Sequence, residues 1–260
     1  ITTVAPAVAR AAMESGVAQK QITDWAAYRE ELEERLGLDN KLMSSLVERA
    51  KKDPKRVVFA EADNYKVLRA AQTVRDEGIA EPILLGPREK LEALIEKYEL
   101  ELDGVQIIDP RSEEEYENRE KYGRIMYNMR KRKGYTLPEA IKAMRERNYY
   151  GCVMLKQGDA DALISGISRN YPDTLRPALQ IIGKNPKNKI IAGMYLLNTK
   201  NGPLFLADTT INLNPTAREL ADITTLTTEA VKLFNIKPMV ALLSYSNFGS
   251  SKGGESDVVK

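Results

Sequence analysis

From Lys41 to Ile182 the chain alternates short apolar runs of strand type with segments of helical periodicity, and this alternation limits its fold more than any other feature. Leu42, Leu46, Val47 and Ala50 form a helical stripe, and Arg56 to Ala60, after Pro54, is a buried-strand run. Val67, Ala70, Ala71 and Val74 mark the next helix, which Gly78 closes. Pro82 to Leu85 is a second strand, and Pro87 stands at the first turn of a helix carrying Leu91, Leu94, Ile95 and Tyr98. Val105 to Ile108 is a third strand, followed by a long helix with Tyr122, Ile125, Met126 and Met129 on one face. Thr136-Leu137-Pro138-Glu139 has the form of a capping box. Ala162 to Ser165 is a fourth strand, and Leu175 to Ile182 a short helix. Over about 140 residues this pattern predicts a mainly parallel sheet with helices on both faces.

The flanks differ. Residues 1–37 read as two helices: Val4, Ala7, Val8 and Ala11 in the first, stopped by Gly16, and Trp25, Tyr28, Leu32 and Leu36 in the second, capped by Asp24. Residues 38–40 are the linker candidate, 41–183 a first lobe and 184–260 a second. In the second, Lys189 to Leu197 and Leu204 to Thr210 are strand-like, and Asn201-Gly202 between them is a hairpin signal. A helix from Pro215 to Phe234 and a buried strand from Met239 to Leu243 follow. The chain starts at Ile1 without Met and stops at Lys260, where the pattern predicts the start of a helix, so a fragment open at both ends is expected.

Composition narrows the chemistry. Lys and Arg number 39 against 37 Asp and Glu, a net charge of +2, which gives no global reason to expect nucleic acid or an anionic membrane. There is no histidine, so no imidazole base, Ser-His or Cys-His pair, or His-ligated metal is available. The single Cys152 excludes an intrachain disulfide, fits a reducing, cytoplasmic setting, and reads as a buried spacer. Asp159 and Asp161 read as turn formers, leaving no metal site and no catalytic residue to assign. No apolar run approaches the roughly 20 residues of a membrane span.

Three segments could carry an anion. The loop at 244–254 is rich in Ser and Gly and follows an expected strand; it is either a phosphate-cradling loop or a flexible surface loop. Ser165 to Arg176 also follows a strand. There Arg169 and Arg176 offer forked donors suited to phosphate, although Arg176 could simply pair with Asp173. Arg130 to Lys133 ends the long helix, where positive charge is favourable with no further role.

Four ordered stretches, Met129 to Thr136, Gly158 to Gly166, Asp173 to Ile182 and Leu206 to Asn212, together resemble phosphate acetyltransferases (phosphotransacetylases) over about residues 41 to 260. Val4 to Ala18, with Asp24-Trp25, resembles the end of a bacterial malic enzyme, and the two together resemble hybrid NADP-dependent malic enzymes. The resemblance implies a two-lobed α/β/α fold of the isocitrate dehydrogenase-like kind, a mainly parallel sheet with a hairpin in the second lobe, and a homodimer within a larger homo-oligomer. It implies acetyl-CoA or CoA bound between lobes, with NADP and a divalent metal (Mg or Mn) confined to a malic-enzyme domain preceding Ile1. In phosphotransacetylases the coenzyme A thiol attacks acetyl phosphate held by arginines, and Arg130 and Arg176 fall on those arginines. The family's base and its Ser-Arg pair would lie beyond Lys260. The residues expected to face the ligand are Arg130, Lys133, Ser165, Gly166, Arg169, Thr174 and Arg176, with Ser246, Asn247, Ser250 and Lys252. Two departures imply lost acetyl transfer. Ile167 to Pro172 replaces an Ala-Val-His-Thr-Thr-like run, and Ser246 to Ser250 replaces Ser-Thr-Lys-Gly-Ser. Both resemble hybrid malic enzymes, whose C-terminal domain senses acetyl-CoA and restrains malate decarboxylation.

Overall fold

The computed structural model describes residues 4–35, 41–199, 202–244 and 258–259. The chain divides into two compact units, residues 47–186 and residues 1–46 with 187–260.

The first unit is built on four parallel strands: β1 (Lys55–Phe59), β2 (Ala80–Leu85), β3 (Gln106–Ile108) and β4 (Ala162–Ile164), in the order β3-β2-β1-β4. Their side chains alternate between faces, which explains why the runs are apolar throughout. Val58, Ile83 and Leu85 enter one core with Tyr122, Met126, Tyr150 and Val153. Val57, Phe59 and Leu84 enter the other with Leu68, Ala71 and Leu91. The helices are α3 (Lys41–Lys52), which spans the division between units, α4 (Tyr65–Asp76), α5 (Arg88–Lys97), α6 (Tyr116–Arg130), α7 (Leu137–Ala143), α8 (Arg147–Gln157) and α9 (Tyr171–Ile181). Thus α4 and α5 cover one face, and α6 and α8 the other. The capping box at Thr136 is formed, with Glu139 bonding back to the Thr136 amide. At Gly123 an added Cβ would lie 2.6 Å from the Ile141 Cα, so only glycine lets α6 approach α7 this closely.

Helix α8 has no counterpart in the periodicity. Tyr150, Gly151, Cys152, Val153 and Met154 are buried in succession, so no polar face marks it as amphipathic. Helix α9 starts at Tyr171 instead of Leu175, with Pro172 in its first turn, and therefore takes Asp173 and Thr174 out of the expected loop.

In the other unit, α1 (Val4–Glu14) leaves Val4 and Val8 exposed, and α2 (Trp25–Arg35) is capped by Asp24, whose carboxylate accepts from the amides of Ala26 and Ala27. The hairpin pairs β5 (Met194–Thr199) with β6 (Gly202–Ala207). Its ladder reaches Thr199 and Gly202, so the strands run into the expected connector at 198–203, and Pro203 is accommodated because both strands are edges. Asp208 ties down the chain after β6, accepting from the amides of Gly193 at 2.9 Å and Asn212 at 2.7 Å. Helix α10 (Ala217–Lys232) opens on a second capping box at Thr216. The expected buried strand at 239–243 is absent. No described strand pairs with it, and Met239 and Leu243 are 94% and 82% exposed. It instead helps line an apolar groove of about 450 Å³ against β6 and α10.

Candidate ligand site at the carboxyl ends of the strands

Strand order reverses between β1 and β4, and crevices outside the carboxyl ends at such a point are the common ligand sites of open α/β sheets. Just past β1 lie Glu61 and Asp63, and just past β4 the loop from Ser165.

Glu61 is 3% exposed and holds that loop. Its carboxylate accepts from the amides of Gly166 and Ile167, each at 2.7 Å, and from the Ser168 amide at 3.2 Å and hydroxyl at 2.6 Å. Burial opposes its charge, but the Ser168 hydroxyl and the three amides outweigh burial and hold the group below the usual glutamate range. These converging N–H groups would suit an external anion, but an internal carboxylate already fills them. These three amides are therefore not open to a bound anion.

Arg147 places the start of α8 against the same strand ends. Its guanidinium grips Asp63 at 2.5 and 3.1 Å and donates to the carbonyls of Ala60 at 3.2 Å and Leu85 at 3.4 Å. Lys90 adds a contact to Asp63 at 3.1 Å. The Arg147 hydrogen bonds outweigh burial and hold the Asp63 carboxyl far below its usual range. The preceding residue, Glu146, caps α8 through the amides of Asn148 and Tyr149 and lies 2.8 Å from Arg169. Arg169 is thus engaged by a carboxylate.

Of the residues expected to face a ligand, Ser165 has a buried hydroxyl without a partner, and Gly166 takes a positive φ of 113° beside Thr174. Thr174 bonds its own helix, donating to the Asn170 carbonyl at 3.4 Å. Arg130 keeps a buried, unpartnered Nε at the end of α6. Lys133 is exposed in the single 3-10 turn Lys131–Lys133 that Gly134 closes. Arg176 is 59% exposed and 3.9 Å from Asp173, the bland pairing its spacing allowed. Ser246, Asn247, Ser250 and Lys252 lie outside the described residues. The loop residues 165–169 are drawn together with Glu61 and Glu146. No hydrogen bond or ion pair among the described residues brings Arg130 and Arg176 together. The hydroxyls of Tyr135, after α6, and Tyr149, on α8, both donate to Gln180, one turn beyond Arg176 on α9.

Glu61, Asp63, Arg147 and Asn148 escaped the sequence reading. The available signal was two carboxylates directly after an apolar strand run. Asn148 is buried with neither amide atom partnered. Asp161 exceeds its expected role as a turn former, because it accepts from the Arg56 amide at 2.9 Å and from its guanidinium at 2.9 and 3.1 Å. Cys152 is buried, and burial together with the Glu146 charge pushes its thiol up to about 12, so it stays protonated. No cluster of three or more metal-ligating side chains occurs among the described residues. None of the described helices is long and apolar enough to cross a membrane.

The chain is 40% identical to the NADP-dependent malic enzyme of Haemophilus influenzae over 255 residues, 96% of this chain and 33% of that protein. It is 38% identical to the phosphate acetyltransferase of Clostridium acetobutylicum over 226 residues, 84% of this chain and 67% of that one. It therefore spans about a third of the malic enzymes it matches. A solved phosphotransacetylase from Streptococcus pyogenes superposes with a TM-score of 0.73 at 35% identity, over 84% of this chain and 65% of that one. The model of the family described as phosphate acetyl/butaryl transferase matches residues 41–260. With its parallel sheet, hairpin and phosphotransacetylase-like structural match, the chain belongs to the phosphate acetyl/butaryl transferase family.

Proposed function

We propose that the chain is the phosphotransacetylase-like part of an NADP-dependent malic enzyme, in which it binds acetyl-CoA and regulates oxidative decarboxylation of malate to pyruvate and CO2, without transferring acetyl groups itself. The observation that carries this reading is that likeness to an NADP-dependent malic enzyme covers the whole chain, α1 and α2 included, whereas the family model begins at residue 41. The site supports a binder. Arg130 offers a buried, unsatisfied guanidinium nitrogen, Ser165 a buried hydroxyl, and Arg176 a forked, exposed cation 3.9 Å from an exposed acid. The segment where the family carries a histidine has none, and Arg169 there is committed to Glu146. NADP and a divalent metal belong to the remainder of the full-length protein, which acts in the cytoplasm as a homodimer or larger homo-oligomer assembled through this family domain.

Regulation requires acetyl-CoA to bind one state of the enzyme better than another. The test is malate decarboxylation by the full-length protein with and without acetyl-CoA, alongside calorimetric titration of acetyl-CoA against the parent and Arg176→Ala. Expected are a change in malate turnover, measurable heat from the parent, and weakened binding in the variant. No heat and no rate change in the parent would overturn the reading. A second reading, an active phosphate acetyltransferase, is favoured by the vacant Arg130 Nε, which suits phosphate. Phosphate-dependent release of coenzyme A from acetyl-CoA would establish it.

A further inference from the structure

We propose that Gln180 is a positioning residue that holds Arg130 and Arg176 as a single anion-binding unit, through the hydroxyls of Tyr135 and Tyr149. The inference rests on the acetyl-CoA reading above and deepens it. Three separate elements meet at one side-chain oxygen. Tyr135 follows Gly134, the left-handed cap of the turn that continues from Arg130. Its hydroxyl donates to Gln180 Oε1 at 3.0 Å. Tyr149, in the first turn of α8, donates to the same atom at 2.7 Å. Gln180 lies four residues after Arg176 on α9, so both project from one helix face.

Arg176 is close enough to affect Tyr149. Burial and the neighbouring Tyr135 hydroxyl push that phenol up, and Arg176 works against them. The amide is therefore the joint between the segment bearing Arg130 and the helix bearing Arg176. Apolar packing of Met126, Tyr135 and Tyr149 with Ala178 and Ile181 holds these elements together, and the amide adds the fixed polar link between the turn after Arg130 and α9. Two cations grip one anion better than either alone only when their spacing is fixed, since ordering them at binding costs affinity.

The test compares acetyl-CoA binding by calorimetry in the full chain for the parent, Gln180→Leu and Tyr135→Phe, each with and without Arg130→Ala. Gln180→Leu is expected to weaken binding about tenfold and Tyr135→Phe about threefold, in keeping with the loss of two and one hydrogen bonds. The deciding readout is coupling. Arg130→Ala should cost the parent about tenfold and the Gln180→Leu protein less than about threefold. A purely structural role would leave the Arg130→Ala ratio unchanged, and an unchanged ratio overturns the proposal. If Gln180→Leu fails to fold, the same ratio measured in Tyr135→Phe, which keeps the ring, gives the answer. Absence of binding in the parent removes the acetyl-CoA reading and this inference together; parent binding with equal ratios removes only the inference.

Discussion

The sheet of residues 47–186 and the described part of residues 187–244 solve burial in opposite ways. In the first, helices cover both faces of the strands, and Val58, Leu84, Leu85, Leu68 and Met126 are fully buried. In the second, a two-stranded hairpin meets α10, and Ile223 and Val231 are its buried apolar side chains among the described residues. Leu213 and Met239 are each 94% exposed there. The difference shows what an apolar run can and cannot do. Residues 82–85 become a buried strand because neighbours exist on both sides and both faces. Residues 239–243 are as apolar, yet with no described strand beside them they stay irregular.

Several measurements would break or sharpen that contrast. Leu84→Ala should destabilise the sheet unit by about 2–5 kcal/mol in chemical denaturation, whereas Leu243→Ala should stay within about 0.5 kcal/mol. Comparable losses would mean that residues 239–243 are buried in solution. Arg147→Ala should cost about 2–4 kcal/mol, less than for a fully buried pair because Asp63 and Arg147 keep some exposure. The sign of its pH dependence is fixed by Asp63. Its pKa is lowered by folding, so the stabilisation is present above the ordinary value of 3.8 and is lost as pH falls through the lower folded value. The acid limb of the stability curve should therefore flatten in Arg147→Ala; an unchanged limb would remove Asp63 from the account.

The two capping boxes provide a matched pair, one in each unit. Thr136→Ala and Thr216→Ala should each cost about 1 kcal/mol, since the same local hydrogen bonds are lost. A much smaller loss at Thr216 would show α10 fraying independently of its cap. The smallest effect is expected at Arg176. Its pair with Asp173 is long and exposed, so Arg176→Ala should change stability by under about 0.5 kcal/mol while weakening acetyl-CoA binding.

What the sequence alone determined is local. Strand and helix alternation, the box at Thr136, the cap at Asp24 and the hairpin signal at Asn201-Gly202 each involve residues within a few positions, where periodicity and side-chain-to-backbone bonds act without the rest of the chain. The resemblance added the family. Tertiary structure alone decided the rest. Glu61 meets Gly166 across 105 residues, Arg147 meets Asp63 across 84, and Tyr135 meets Gln180 across 45. No period encodes such pairs, because a polar group finds its partner only after the strands have brought distant loops to one edge. The concealment of α8 has a related cause: buried on successive sides, it lost the polar face by which a helix is recognised.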